Sequence, residues 1–169
     1  LSAQAQRLTQ VMQFFRLGPA GQGRPLALAA GAVAHEENEG GDGATPRGTH
    51  RLVGMLYRPD RMVRPADWAL PIRPGDLWSD DPKDEDYNLM VRAPYAPSHE
   101  ALRRPDPLYD LILITDWNWP HAVPGRGSAI FIHRWRKPGH PTAGCIGLRP
   151  QDLRWIAPRI RYETRLIVL

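Results

Sequence analysis

The chain has 169 residues and is 42% hydrophobic, which is enough for one domain with a buried core and too little for two ordinary domains. Its net charge is +4, but the arginines that carry it are interspersed with acidic residues, so we do not expect nucleic-acid binding. No apolar run reaches the roughly 18 residues of a transmembrane helix, and no export signal is recognisable. A signal or anchor ahead of this chain remains compatible with that observation.

The cysteine and histidine content limits the kinds of disulfide and metal site that the chain can form. Cys145 is the one cysteine, which excludes an intramolecular disulfide and a multi-cysteine metal site. Four further histidines are not spaced along the chain as metal ligands usually are: His35, His50, His99 and His121. A solvated acidic loop, rather than a cation site, is the expectation for Asp80, Asp81, Asp84, Glu85 and Asp86. We therefore expect neither a metal nor a cofactor.

The first half of the chain is dominated by short strands and loops. Loose alternation in Leu8 to Leu17 and an apolar run in Leu26 to Val33 predict two strands joined as a hairpin. Residues 36 to 49 are rich in Gly, Asp and Glu and predict a loop, followed by a strand at Arg51 to Tyr57. The many prolines between Pro59 and Pro97 predict a long irregular crossing loop.

The second half contains the clearest elements. Tyr109 to Thr115 is apolar throughout, as in a strand covered on both faces, and Gly127 to His133 is an apolar strand that ends on an imidazole. Pro150 to Ile156 begins with a proline at a first helical position and predicts a short helix, and Thr164 to Leu169 predicts a last strand. The pattern predicts a mainly β chain with minor helices.

A thiol and an imidazole form the candidate reactive pair. A thiol attacks carbonyls usefully only as a thiolate, and histidine is the usual base near neutral pH. The glycine and prolines between His133 and Cys145 favour a loop that returns the cysteine towards the histidine. His140 is the weaker base candidate because it lies in that loop. Gly144 would allow close backbone approach to a substrate and amides that face an oxyanion.

Each residue of this pair also has an ordinary structural interpretation. A lone cysteine such as Cys145 is more often a small buried apolar residue than a nucleophile. A histidine at the end of a strand, such as His133, is more often a satisfied core or surface residue. The residue types alone leave both interpretations open.

Two segments resemble a known family. Ile130 to His133 followed by Pro141 to Ile146 resembles the active-site signature of the L,D-transpeptidase (YkuD-like) catalytic domain, and Asp42 to Thr49 resembles its Thr-Pro-x-Gly segment. The resemblance covers about residues 30 to 157 and implies one catalytic domain over residues 1 to 169. It further implies a β-sandwich with the active site at one end of the sheets and a mid-chain loop as cover.

The resemblance implies roles for individual residues. Cys145 would be the nucleophile, His133 the base, and the Gly144 and Cys145 amides the oxyanion donors. Thr142 would order the loop beside the substrate. Many members carry arginine two residues after the cysteine, where this chain has Gly147.

Further residues are expected to contact the substrate. Other family members have histidine at the position of Ala143, so this chain departs from the family pattern there as well. Arg126 or Arg134 could instead hold a substrate carboxylate, although a solvated arginine is the alternative. Tyr87 and Asn88 could line a pocket for a sugar-peptide ligand, with packing as the alternative.

The implied activity is cross-linking of peptidoglycan stem peptides, which serve as donor and acceptor, through a cysteine acyl-enzyme. A 3-3 cross-link is usual in the family, and a 1-3 cross-link remains open for a divergent branch. Alternatives are an L,D-carboxypeptidase on the same stems and a non-catalytic wall-binding module. We expect a monomer in the periplasm or cell envelope, with a role in cell shape and with sensitivity to carbapenems.

Overall fold

The computed structural model describes residues 43–169, so the predicted hairpin at 8–17 and 26–33 and the start of the predicted loop lie outside the described residues. Its strands are β1 (Gly48–Tyr57), β2 (Leu70–Pro71), β3 (Asp76–Ser79), β4 (Met90–Arg92), β5 (His99–Ala101), β6 (Leu111–Thr115), β7 (Phe131–Arg134), β8 (Ile146–Leu148) and β9 (Arg165–Val168). A short helix, α1 (Pro150–Ile156), continues into a 3-10 turn (Ala157–Arg159). Within this part of the chain no helix has the length and apolar character to cross a membrane.

The larger sheet has six strands in the order β2-β1-β6-β7-β8, and β9 pairs with the first half of β1. The β1–β6 and β6–β7 pairs are antiparallel, and β7 pairs with β8 in parallel. The β1–β6 register shifts between Leu52 and Gly54. A Cβ at Gly54 would lie 2.7 Å from Cδ1 of Ile114, so a side chain at this position would require Ile114 to shift.

A second sheet of three antiparallel strands, in the order β4-β3-β5, corrects the prediction of an irregular crossing loop. The segment from Pro59 to Pro97 contains β2, β3 and β4, and all four residues of β3 are buried. These strands have two to four residues each, too few for an alternation pattern. Their strand conformation comes from pairing with distant partners, which local sequence does not reveal.

Both faces of the larger sheet are covered. Leu153 and Ile156 of α1 pack on one face against Met55 of β1 and Leu113 of β6. On the other face the second sheet contributes Trp78, which packs with Ile112, Ile114 and Phe131. The rings of Trp78 and Phe131 meet edge to face at 4.9 Å. The arrangement is a β-sandwich with a helix on its outer side, which confirms the predicted mainly β fold.

The clearest sequence patterns match the observed elements. The helix occupies the predicted range, with proline in its first turn and Asp152 paired to Arg149 at 2.6 Å. The apolar strand predicted from Tyr109 is observed as β6, in which every residue is buried. The strand predicted from Gly127 begins only at Phe131. Gly127 and Ala129 have φ of 86° and 55°, which are incompatible with a regular strand.

Candidate active site

The cysteine and the histidine lie on neighbouring strands. Ile132 pairs with Ile146 and His133 with Gly147 in the parallel β7–β8 ladder, and Cys145 directly precedes β8. Side chains alternate along a strand, so Ile132 and Ile146 point to α1 while His133 and Cys145 point to the second sheet. The thiol and the imidazole therefore share one face of the larger sheet.

The Cys145 thiol is held by two backbone groups. Its Sγ donates to the carbonyl of Ala129 at 3.1 Å and accepts from the Phe131 amide at 3.5 Å. The residue as a whole is partly exposed, but the surroundings of the sulfur are largely protein. Burial raises the pKa of this thiol to about 12, with a smaller contribution from the Glu100 carboxylate and a partial offset from the Phe131 amide. The resting sulfur is thus a neutral thiol at neutral pH.

His133 is oriented and kept neutral by its surroundings. Its side chain is buried, and Nδ1 donates to the carbonyl of Arg134 at 2.7 Å. Because a carbonyl can only accept, Nδ1 carries the proton and Nε2 presents the lone pair. Burial lowers the pKa of His133, and the charges of Arg104 and Arg136 lower it further. The imidazole can therefore act as a base at and below neutral pH.

The loop before Cys145 has a tightly constrained backbone. Gly144 has φ of 91°, and a Cβ there would lie 2.9 Å from both the Ala44 carbonyl oxygen and Cδ1 of Ile130. The hydroxyl of Thr142 donates to the carbonyl of Cys145. Ala44 belongs to the Thr-Pro-x-Gly segment, so the fold brings the two segments singled out in the sequence into contact.

The position two residues after the cysteine has little room for a side chain. A Cβ at Gly147 would lie 3.3 Å from Cβ of Trp135 and 3.7 Å from Cγ2 of Thr142. A side chain here would therefore require Trp135 to shift by a few tenths of an ångström.

The arginines near the site differ in their surroundings. Arg126 is exposed, and its guanidinium lies 5.2 Å from the centre of the Trp117 ring. Arg134 contributes its backbone carbonyl to His133, and within residues 43–169 its side chain forms no ion pair. Arg136, which the sequence did not single out, is exposed and lies close enough for its charge to act on His133.

Asn88 supports the site from within the core. Its amide oxygen accepts from Nε1 of Trp78 at 3.0 Å and from the Ala129 amide at 2.8 Å. Its Nδ2 donates to the two carbonyls of residues 117 and 118 at 3.2 and 2.7 Å. The amide has no capacity left for a ligand, and the residue is 2% exposed. The structure therefore gives Asn88 a structural role in place of the expected substrate contact. Its side-chain amide holds Ala129, whose carbonyl accepts a hydrogen bond from the Cys145 thiol.

Tyr87 and the acidic loop are likewise engaged with the protein. Tyr87 is buried, and burial raises its pKa while its hydrogen bond to Ser128 partly offsets that effect. Asp84 accepts from the hydroxyls of Ser79 and Tyr95. Within residues 43–169 no group of three or more His, Cys, Asp or Glu side chains could hold a metal ion.

The sequence did not single out Tyr109 and Glu100, which lie beside the candidate pair of Cys145 and His133. The Tyr109 hydroxyl donates to Oε2 of Glu100 at 2.6 Å, and its ring meets the imidazole of His133 edge to face at 5.3 Å. Burial, with the nearby negative charge of Glu100, raises the pKa of Tyr109 above its usual range. Glu100 lies on one of the short strands that the sequence does not reveal, so no signal pointed to it.

Comparison with protein families decides the assignment. A family model of the L,D-transpeptidase (YkuD) catalytic domain matches residues 4–168. The chain belongs to this family. Members are cysteine-dependent enzymes that act on cell-wall peptidoglycan, so this L,D-transpeptidase-family domain has a catalytic function on peptidoglycan peptides. Comparisons with curated proteins and with solved structures found no significant match.

Proposed function

We propose that the protein is a peptidoglycan L,D-transpeptidase in which Cys145 is the nucleophile and His133 the general base. The supporting observation is that the one thiol and a buried neutral imidazole share a face of the sheet on adjoining strands. The Arg134 carbonyl is the third member of the set, because it fixes the tautomer that leaves Nε2 free.

The reaction begins with proton transfer from the Cys145 thiol to Nε2 of His133. The thiolate attacks a stem-peptide carbonyl on an L-centre, and the amides of Gly144 and Cys145 donate to the resulting oxyanion. The C–N bond then breaks, and the leaving amine takes the proton from His133. A thioester acyl-enzyme remains.

The second half of the reaction releases the product. An acceptor amine attacks the thioester carbonyl, the C–S bond breaks, and the proton lost by the amine returns through His133 to the sulfur. The donor carbonyl is that of the diamino acid at stem position three, with terminal D-alanine as the leaving group, and the product is a 3-3 cross-link. A 1-3 cross-link is the other product that this chemistry allows.

Substrate binding is proposed to use the arginines around the site. Arg126 and Arg134, together with Arg136, would attract the carboxylates of the stem peptides, and Thr142 would keep the Cys145 loop in its reactive shape. Tyr87 would contribute to the wall of the pocket. Guanidinium groups suit carboxylates because two N–H donors match two oxygens.

The location and organisation of the enzyme follow from its substrate. We infer that residues 1–169 form one catalytic domain that works as a monomer in the periplasm or cell envelope and supports cell shape. Peptidoglycan stem peptides are the donor and the acceptor. The chemistry requires no cofactor.

The test is mass spectrometry of purified stem peptides incubated with the wild-type protein, with Cys145→Ala and with Cys145→Ser. We expect dimers with the wild type only, and fragmentation of these dimers distinguishes 3-3 from 1-3 linkages. Shortened monomers without dimers would replace the transpeptidase by a carboxypeptidase. Identical products with all three proteins would contradict an enzymatic role.

A further inference from the structure

The second sheet presents a carboxylate to the reactive pair. Glu100 pairs directly with Trp78 across β5 and β3, and directly paired residues point to the same side of a sheet. Trp78 packs edge to face on Phe131, whose amide donates to Sγ of Cys145. The Glu100 side chain is therefore on the side of the second sheet that faces Cys145.

The Glu100 carboxylate is oriented by one hydrogen bond and can accept more. Oε2 of Glu100 accepts from the Tyr109 hydroxyl at 2.6 Å, and this is the one side-chain hydrogen bond of the carboxylate within residues 43–169. The guanidinium of Arg104 lies 5.3 Å from the centre of the Tyr109 ring, and its charge acts on Glu100 without a direct ion pair. Arg104 is already paired with Asp106 at 2.7 Å. Glu100 forms no direct ion pair within residues 43–169, and a carboxylate that accepts one hydrogen bond retains acceptor capacity for a further donor.

A negative charge beside Cys145 is unfavourable for the first half of the reaction, since it opposes formation of the thiolate. In the acyl-enzyme the sulfur is part of a neutral thioester, so this cost is absent. A carboxylate at this place suits a cationic group that arrives after the donor. A primary ammonium is such a group, because it forms charge-assisted hydrogen bonds with a free carboxylate oxygen.

We propose that Glu100, oriented by Tyr109, binds the protonated amine of the acceptor beside the Cys145 thioester. This proposal rests on the transpeptidase function proposed above. The bound ammonium releases one proton to solvent, and the neutral amine attacks the thioester carbonyl. The new C–N bond forms as the C–S bond breaks, and the second proton reaches the sulfur through His133.

The site would also set the balance between cross-linking and hydrolysis. Water competes with the acceptor for the same thioester, and the ratio of cross-linking to hydrolysis depends on the fraction of acyl-enzyme with an amine bound at the acceptor site. Glu100 raises the local concentration of amine without binding water specifically. Removing its charge should favour hydrolysis.

The test measures the two half-reactions separately in wild type, Glu100→Gln and Tyr109→Phe. Acylation is followed by intact mass after mixing with donor stem peptide, and partition by the ratio of amide product to hydrolysed donor with a primary ammonium acceptor. Glu100→Gln should lower the amide-to-acid ratio about tenfold, the effect of losing one charge-assisted hydrogen bond. Acylation should become faster, because a charge that disfavours the thiolate is gone.

Two controls isolate the charge. Glu85→Gln removes an exposed carboxylate of the acidic loop and should leave the ratio unchanged. Hydroxylamine, an acceptor that is uncharged at neutral pH, should give the same ratio with Glu100→Gln as with wild type. Tyr109→Phe keeps the charge of Glu100 but removes the hydrogen bond that orients its carboxylate. This variant should lower the amide-to-acid ratio less than Glu100→Gln does.

Two results would overturn the proposal, and they are distinguishable. An unchanged ratio with the ammonium acceptor, in a Glu100→Gln protein that forms the acyl-enzyme, removes Glu100 from acceptor binding and leaves the transpeptidase intact. Absence of any acyl-enzyme in the wild type removes the proposed function and the acceptor site together. If Glu100→Gln does not fold, an unchanged ratio in Tyr109→Phe relative to wild type overturns the proposal.

Discussion

The carbonyl oxygen of Ala129 lies 3.1 Å from Sγ of Cys145 and accepts a hydrogen bond from the thiol. Because a thiol has a single proton, that proton is not donated to His133 in this state. The structure therefore represents a resting state, in which the thiol must break its hydrogen bond to Ala129 before its proton can be transferred to His133. Ala129 itself has φ of 55° and is held there by Asn88.

Asn88→Ala should weaken both the fold and the nucleophile. The change leaves the Ala129 amide and Nε1 of Trp78 without their partner inside the core, which costs about 1–3 kcal/mol for each unsatisfied group. Denaturant unfolding should show a lower midpoint, and the folded fraction should form the acyl-enzyme more slowly. A midpoint equal to that of the wild type would show that Asn88 does not hold Ala129.

Gly144→Ala should destabilise the loop before Cys145. The added methyl would lie 2.9 Å from the backbone oxygen of Ala44 and occupy a φ of 91°, and such strain costs about 1–3 kcal/mol. Gly125→Ala is a matched control, because Gly125 has φ of 84° and nothing within 4 Å of the added Cβ. Urea unfolding should show the larger loss for Gly144→Ala. Equal losses would mean that contact with Ala44 is unimportant.

The sequence predicted those parts of the molecule whose signal is local. The continuous apolar run of β6 and the proline-initiated α1 depend on neighbouring residues, and both were found where expected. The second sheet was missed because β3 has only four residues and gains its stability from pairing with β4 and β5.

The candidate site shows the same division. Cys145 and His133 were recognisable because their short segments resemble a family signature. Glu100 and Tyr109 were not, since they meet only when two sheets pack face to face. Asn88 was noticed as a polar residue, but its amide is consumed inside the protein, and residue type alone does not distinguish a ligand contact from an internal one.

The pH profile of acylation should have its acid limb at unusually low pH, because His133 is the base. Burial lowers its folded-state pKa below the ordinary value of 6.5, so the basic form persists as the pH falls through 6.5. The pH profile of acylation should therefore decline only below that value, and His133→Gln should lower the rate about a hundred- to ten-thousand-fold. An acid limb at or above pH 6.5 would contradict the assigned environment.

The same burial links folding to pH. The unfolded chain binds a proton at His133 near pH 6.5, whereas the folded protein resists it to lower pH. This contribution to stability is fully present above 6.5 and is lost as the pH falls from 6.5 towards the lowered folded pKa. Urea midpoints measured across this window should fall less steeply in His133→Gln than in wild type, and parallel curves would contradict this linkage.

Arg136→Ala should weaken binding of the donor. Arg136 is exposed and its charge acts on His133, whereas Arg126 is stacked on Trp117. We expect KM for the stem peptide to rise about tenfold in Arg136→Ala, as for loss of one charge-assisted contact, and less in Arg126→Ala. Stem peptides with amidated carboxylates should bind equally to both variants and to wild type. An unchanged KM with the free carboxylates would exclude Arg136 from the donor site.

The most direct test of the proposed mechanism is intact mass spectrometry of the protein after brief mixing with a donor stem peptide, followed by peptide mapping. Wild-type protein should gain the mass of the donor minus its leaving amine, and the adduct should map to Cys145. The adduct should be absent from Cys145→Ala and form far more slowly in His133→Gln. A folded wild-type protein that gains no adduct, or gains it at another residue, would contradict the assignment of Cys145 as the nucleophile.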